Sequence, residues 1–182
     1  MRRERIHALP VVGPGDRLVG IVTDVDVLAA QTGARPESRP FERVPVDEVM
    51  TRSPVTLDDD ATLGDAAEAL RQRGVRHLPV VDGQGRLVGM LSERDLRARL
   101  GVDVDGFPDA TVEALTELVS ETMTPDPISV RTGTPLGDVL ETFAVERVGA
   151  LPIVDDGDKL VGILSYVDLL TWLRDRAERA SE

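Results

Sequence analysis

The stretch RHLPVVDGQGRLVGMLSERDL at residues 76–96 returns at 149–169 as GALPIVDDGDKLVGILSYVDL, and a third version, HALPVVGPGDRLVGIVTDVDVL, occupies 7–28. An internal repeat of this kind constrains the fold more than any single residue, because each copy is one supersecondary unit. The second and third copies extend further back. Residues 46–99 align with 119–172 at a constant offset of 73, without insertions and with 21 of 54 positions identical. A unit of this length does not bury its own apolar face alone, so the copies are expected to pack on one another.

Each complete copy reads as extended segment, helix, strand, strand, helix, an α/β pattern. In the third copy Leu136, Val139, Leu140 and Phe143 fall at i, i+3, i+4 and i+7, one face of a helix. Thr134 and Pro135 are expected as its N-cap and first helical residue. The second copy repeats the face with Leu63, Ala66, Ala67 and Leu70, and Gly74 is expected to close that helix. Two short apolar strands follow, joined by turn chemistry at Asp82–Gly85 and again at Asp155–Asp158. Gly20, Gly89 and Gly162 recur inside the returning strand, where a glycine points to close approach of another backbone or a ligand. The final helix is expected to open at Ser92 and end near Gly101.

These signals divide the chain into a partial copy at 1–30 (hairpin plus helix only), a proline-rich linker at 31–45, complete copies at 46–101 and 119–176, and a connector at 102–118. Val112, Leu115, Leu118 and Val119 suggest an amphipathic helix in that connector. The partial copy lacks a first strand and first helix, so either the gene start lies further upstream or the half unit borrows a partner.

Composition narrows the function classes. A net charge of −12 argues against nucleic acid, which needs a basic face. No apolar run approaches the ~18 residues of a membrane span, and the amino terminus lacks the order of a signal peptide. Zero cysteines exclude disulfides and thiolate metal sites, and a cytoplasmic location is expected. The chain has only two histidines, His7 and His77, and no Ser-His-Asp set or phosphate-binding Gly-Lys loop. It is therefore expected not to be an enzyme.

The Leu-Pro-Val-Val strand, the Leu-Val-Gly strand, the Ser-x-x-Asp helix start and the Met-Thr openings at 50–51 and 123–124 together resemble the cystathionine-β-synthase (CBS) domain family. The resemblance covers both complete copies and the partial one. It implies tandem β-α-β-β-α units paired about a pseudo-twofold axis as a Bateman module. It further implies a regulatory sensor of adenosine-containing ligands, an adenine nucleotide or S-adenosylmethionine, with no other cofactor. A homodimer and a separate effector protein are the expected partners. A ligand-free dimerisation or interaction scaffold, or a fragment of a longer CBS-regulated protein, is the alternative.

Site residues follow by position. The Ser92-x-x-Asp95 and Ser165-x-x-Asp168 pairs, with Thr23-x-x-Asp26, read as helix capping motifs on chemistry alone. The resemblance gives the same aspartates a role on the ribose hydroxyls, and the two readings are compatible. In the second copy Arg76 and His77, ahead of Pro79, border the implied ligand, with Arg94 on the next helix. Val55 and Thr56 lie where the family places backbone and an apolar side chain against adenine. The third-copy set is Ile128, Ser129, Ala150, Pro152, Ser165 and Asp168. There Gly149 and Ala150 replace the basic pair, so that cleft is expected to take a less charged ligand or none.

Overall fold

The computed structural model describes residues 8–23, 26, 43–101 and 111–179, apart from the side chain of Ala177. His7, the partial copy's helix apart from Asp26, most of the 31–45 linker and residues 102–110 lie outside the described residues. The elements in chain order are β1 (Ala8–Val12), β2 (Leu18–Thr23), β3 (Thr51–Arg52), β4 (Leu57–Asp58), α1 (Leu63–Arg73), β5 (His77–Val81), β6 (Leu87–Ser92) and α2 (Glu93–Leu100). After them come α3 (Val112–Leu115), β7 (Thr124–Pro125), β8 (Val130–Arg131), α4 (Leu136–Glu146), β9 (Ala150–Val154), β10 (Leu160–Ser165) and α5 (Tyr166–Arg179). Single 3-10 turns sit at Val46–Glu48 and Val119–Glu121. The chain divides into two compact units.

One unit comprises Met50–Thr132 with Ala150–Leu164 and contains two four-stranded sheets, β4-β5-β6-β7 and β3-β10-β9-β8. The sheets are completed by exchange. The second copy's β6 pairs with β7 from the third copy's opening, at Gly89–Pro125 and Met90–Thr124. The third copy's β10 pairs with β3 from the second copy's opening, at Gly162–Arg52 and Ile163–Thr51. Each pairing is the other moved by the 73-residue offset. The hairpin turns also meet, with Leu87 N–H donating to the Asp158 carbonyl (3.2 Å) and Leu160 N–H to that of Gly85 (3.1 Å). Reciprocal pairing of equivalent residues is the signature of a pseudo-twofold axis, as expected for tandem units.

Two of the three recurring glycines sit under a close approach, chiefly of a side chain rather than the backbone or ligand expected, and Gly20 meets nothing within 4 Å. A Cβ on Gly89 would lie 2.1 Å from the Met123 sulfur, and one on Gly162 would lie 2.4 Å from that of Met50. The close approach comes from the methionine that each incoming strand carries. Val119 is fully buried in the second copy's core, among Leu57, Leu63, Leu70, Leu78, Val80, Leu91 and Leu96, and Met123 packs against that cluster. This core borrows part of its volume from the next copy, which is why the repeat is found as a pair.

Helix α1 forms as its sequence directs. Thr62 and Asp65 make a capping box, and Gly74 ends the helix in the left-handed conformation at φ 63°. Leu63, Ala66 and Leu70 are buried. The expected connector helix is cut to the single turn of α3, with Val112 exposed and only Val119 of the four apolar positions buried. The cause is backbone pairing beside α1. Leu63 N–H donates to the Glu117 carbonyl, and Val119 N–H to that of Ala61, which holds the chain extended there.

In the other unit, the residues before Met50 meet α4 by the equivalent contacts. Val46 N–H donates to the Thr134 carbonyl (2.9 Å) and Leu136 N–H to that of Val44 (2.8 Å). These bonds keep Pro135 extended at ψ 141°, so Pro135 is the N-cap residue and Leu136 the first helical residue. The expectation of Thr134 as cap is corrected by one position. Helix α4 buries Leu136, Val139, Leu140 and Phe143. It ends at Arg147, held left-handed at φ 54° where the second copy has glycine. The same unit holds the antiparallel hairpin β1–β2, with Ala8 opposite Thr23 and Pro10 opposite Ile21.

Candidate functional site

In the second copy the fold brings Arg76, His77, Ser92 and the first turn of α2 to one end of its sheet. Antiparallel register sets His77, the first residue of β5, opposite Ser92, the last of β6. The Arg76 carbonyl accepts from Glu93 N–H at 2.8 Å, which ties the strand entry to the first turn of α2. Parallel pairing of Leu57 with Val80 sets the start of β4 three residues along β5 from His77, and exposed Thr56 precedes it on the side towards that end. Val55 is half-buried and packs against the core cluster. Pro79 is buried between His77 and Val80, and its missing N–H leaves the strand without one ladder donor.

Ser92 and Asp95 form a complete capping box. Asp95 N–H donates to Ser92 Oγ at 3.3 Å, while Asp95 Oδ2 accepts from Ser92 N–H at 2.8 Å and Ser92 Oγ–H at 2.6 Å. Both residues are half-buried rather than enclosed. Their bonds run through one carboxylate oxygen, so capping leaves Oδ1 able to accept from a ligand. The amino end of α2 supplies partial positive charge beside it.

The electrostatics of this end are basic but tethered. Arg76 Nε lies 3.9 Å from Glu93 Oε2, and Glu93 Oε1 takes Arg97 Nη2 at 2.5 Å. Arg94 is exposed and makes no ion pair among the described residues. Burial, reinforced by the adjacent Arg76 guanidinium, pushes His77 below its ordinary value, against the pull of the Asp95 carboxylate. Arg76, Arg94, Asp95 and Glu93 all act electrostatically on His77, which puts these charges within reach of one another.

The third copy keeps the capping chemistry and loses the charge. Ser165 N–H and Oγ–H donate to Asp168 Oδ2 at 2.9 and 2.6 Å, and Asp168 N–H returns a bond at 3.3 Å. Ile128 and Ser129 are exposed ahead of β8, which pairs in parallel with β9 through Val130 and Ile153. Ala150 and Pro152 are buried in β9. Where the second copy has Arg76, His77, Glu93 and Arg94, the third has Gly149, Ala150, Tyr166 and Val167.

Two participants escaped the sequence reading. Glu93 links Arg76 to Arg97 and competes with any phosphate for the former. Its i,i+4 spacing to Arg97 was the available signal. Thr62-x-x-Asp65 is the same box at the head of α1, with bonds of 2.9, 2.7 and 3.2 Å. Thr23 and Asp26 repeat it after β2, at 2.8, 2.7 and 3.2 Å. The box by itself is therefore a folding device. What singles out the second copy is the set of cations around it. Among the described residues no group of three or more metal-ligating side chains stands together, and no helix is long and apolar enough to cross a membrane.

Known proteins share this architecture. The solved structure of protein MJ1225 from Methanocaldococcus jannaschii superposes with a TM-score of 0.73 at 28% identity, over 92% of this chain and 59% of that one. The structure of CBSX2 in complex with AMP superposes with a TM-score of 0.62 at 29% identity, over 73% of this chain and 98% of that one. A CBS domain-containing protein of Dictyostelium discoideum is 33% identical over 135 residues, 72% of this chain and 92% of its own length. The sequence profile of the CBS domain matches residues 1–33, 46–101 and 119–175. With the duplicated units, their exchanged strands and these matches together, the chain belongs to the CBS domain family.

Proposed function

We propose that this protein is a regulatory CBS-pair module that binds an adenine nucleotide at the second copy and passes the signal to an effector protein, acting as a homodimer and not as an enzyme. The observation that carries the reading is the asymmetry between equivalent sites. Both copies present a capped helix and an aspartate with one carboxylate oxygen to spare, but only the second surrounds them with Arg76, His77 and Arg94. A molecule of net charge −12 repels a free nucleotide, so phosphate recognition requires such a local cluster. The structural likeness to CBSX2 with AMP bound supports an adenine nucleotide as the ligand class. In this reading Asp95 takes the ribose hydroxyls, Val55 and Thr56 flank the base, and Arg76, His77 and Arg94 face phosphate. The third copy, which lacks the basic cluster, takes a nucleoside or stays empty.

Thermal unfolding with AMP, ADP, ATP, adenosine and S-adenosylmethionine tests this. A ligand at ~100 times its dissociation constant stabilises the fold by about 2.7 kcal/mol. A phosphorylated adenosine is expected to give the largest shift. The scaffold alternative draws on the capping boxes being self-sufficient, as the one at Thr62–Asp65 demonstrates. A panel in which no compound moves the transition would favour it.

A further inference from the structure

One carboxylate at the candidate site does more than its helix requires. Glu93 opens α2, where a negative charge suits the helix dipole, and its i,i+4 pair with Arg97 is ordinary support for an exposed helix face. Neither accounts for its second oxygen. While Oε1 takes Arg97 Nη2 at 2.5 Å, Oε2 lies 3.9 Å from Arg76 Nε, on the entry to β5. The backbone fixes this meeting, because Glu93 N–H donates to the Arg76 carbonyl at 2.8 Å. Glu93 and Arg76 are both half-buried, so their charges are only partly screened by solvent. One carboxylate thus sits between two guanidinium groups at the amino end of a helix, an arrangement that otherwise recruits an anion from solution. In the third copy Gly149, Tyr166 and Leu170 stand at the positions of Arg76, Glu93 and Arg97. The carboxylate is present where the two arginines are, and absent where they are absent.

We propose that Glu93 sets the charge selectivity of the second-copy site: it holds the place of an anion between Arg76 and Arg97, and it disfavours a nucleotide more strongly the more phosphates that nucleotide carries. This rests on the reading above, in which Arg76 faces phosphate. A neutral nucleoside leaves Glu93 undisturbed. A monophosphate has to take Arg76 from the carboxylate, which keeps its bond to Arg97. Each further phosphate then brings its charge towards a carboxylate that cannot withdraw, because Arg97 and the backbone bond to Arg76 hold it at the strand entry. The net charge of −12 opposes every phosphate from a distance, where salt screens it, whereas Glu93 acts at contact. Its field also reaches His77, which Arg76, Arg94 and Asp95 influence as well. The wild type is therefore a site that prefers the monophosphate.

Calorimetric titration of adenosine, AMP, ADP and ATP into the wild type and into Glu93→Gln reads this directly. The amide keeps the size of the side chain and removes its charge. Adenosine affinity is expected to be the same in both proteins. AMP is expected to bind the variant about two- to fivefold more tightly, the worth of one partly exposed ion pair. The gain is expected to grow from AMP to ADP to ATP, so that the preference for the monophosphate narrows. An equal gain for all three nucleotides, or weaker AMP binding by the variant, overturns the inference and leaves the nucleotide reading standing. A lower melting temperature with all four affinities unchanged assigns Glu93 to folding alone and overturns it too. If none of the four compounds binds the wild type, the nucleotide reading falls and this inference falls with it.

Discussion

The second and third copies share a backbone plan to the residue, yet the strand entry and first helical turn are basic in one and apolar in the other. Leu78 and Leu151 are both fully buried, Gly89 and Gly162 both seat a methionine, and Ser92–Asp95 and Ser165–Asp168 make the same bonds. The differences cluster at the strand entry and the first helical turn, where Arg76, His77 and Arg94 face Gly149, Ala150 and Val167. Duplication kept what holds the sheet together. The positions that diverged lie at the strand entry and the first helical turn, outside the buried cluster.

If that division is right, changes at shared positions act alike in both copies. Leu78→Ala and Leu151→Ala are each expected to cost about 2–5 kcal/mol in urea unfolding, as buried leucines do. Leu9→Ala, at the same repeat position in the exposed hairpin, is expected to cost about 0.5 kcal/mol or less. A large loss at Leu9 would mean that the partial copy has a core of its own.

The exchange itself is tested next. Gly89→Val and Gly162→Val force side chains into the Met123 and Met50 contacts and are expected to destabilise by about 1–3 kcal/mol each. Gly20→Val meets open space and is expected to be near neutral in the same assay.

Smaller again is the capping box. Asp95→Ala and Asp168→Ala each remove the carboxylate that closes it, for an expected loss of about 1 kcal/mol in either copy. Unequal losses would assign one aspartate work beyond capping in the free protein.

The smallest effect separates the copies by pH. His77 is pushed below its ordinary value of 6.5, so the folded chain holds off a proton that the unfolded chain accepts. Its neutral form is accommodated in full above pH 6.5, and stability falls as pH drops through 6.5 towards the depressed folded value. Denaturation of His77→Gln is expected to show a shallower loss over that window. An identical slope would place the pH sensitivity elsewhere.

Much of this was legible in the sequence, for physical reasons. Gly74 and Ser92 announce helix ends because their conformations and bonds are local. The glycines at 89 and 162 announced close contact, since only crowding makes glycine useful in a strand. What the repeat could not reveal is whose core each opening segment fills. Met50 and Met123 look identical whether they pack in their own copy or the other one. The one-residue error at Pro135 and the overlong connector helix share this origin, because both segments are held extended by partners distant in sequence. At the candidate site the cations were readable by position. The Glu93 tether depends on side-chain geometry and emerged only with the fold.

The central claim is that the second copy alone has the charge to hold a nucleotide. Calorimetric titration of AMP into wild type and into a variant carrying the third copy's residues, Arg76→Gly with His77→Ala and Arg94→Val, tests it most directly. Loss of one charge-assisted hydrogen bond is worth about 1.5–3 kcal/mol. The account therefore predicts at least a tenfold weaker AMP affinity in that variant and an unchanged affinity in Asp168→Ala. Equal AMP binding by the wild type and the converted variant, or loss of binding in Asp168→Ala, would contradict it.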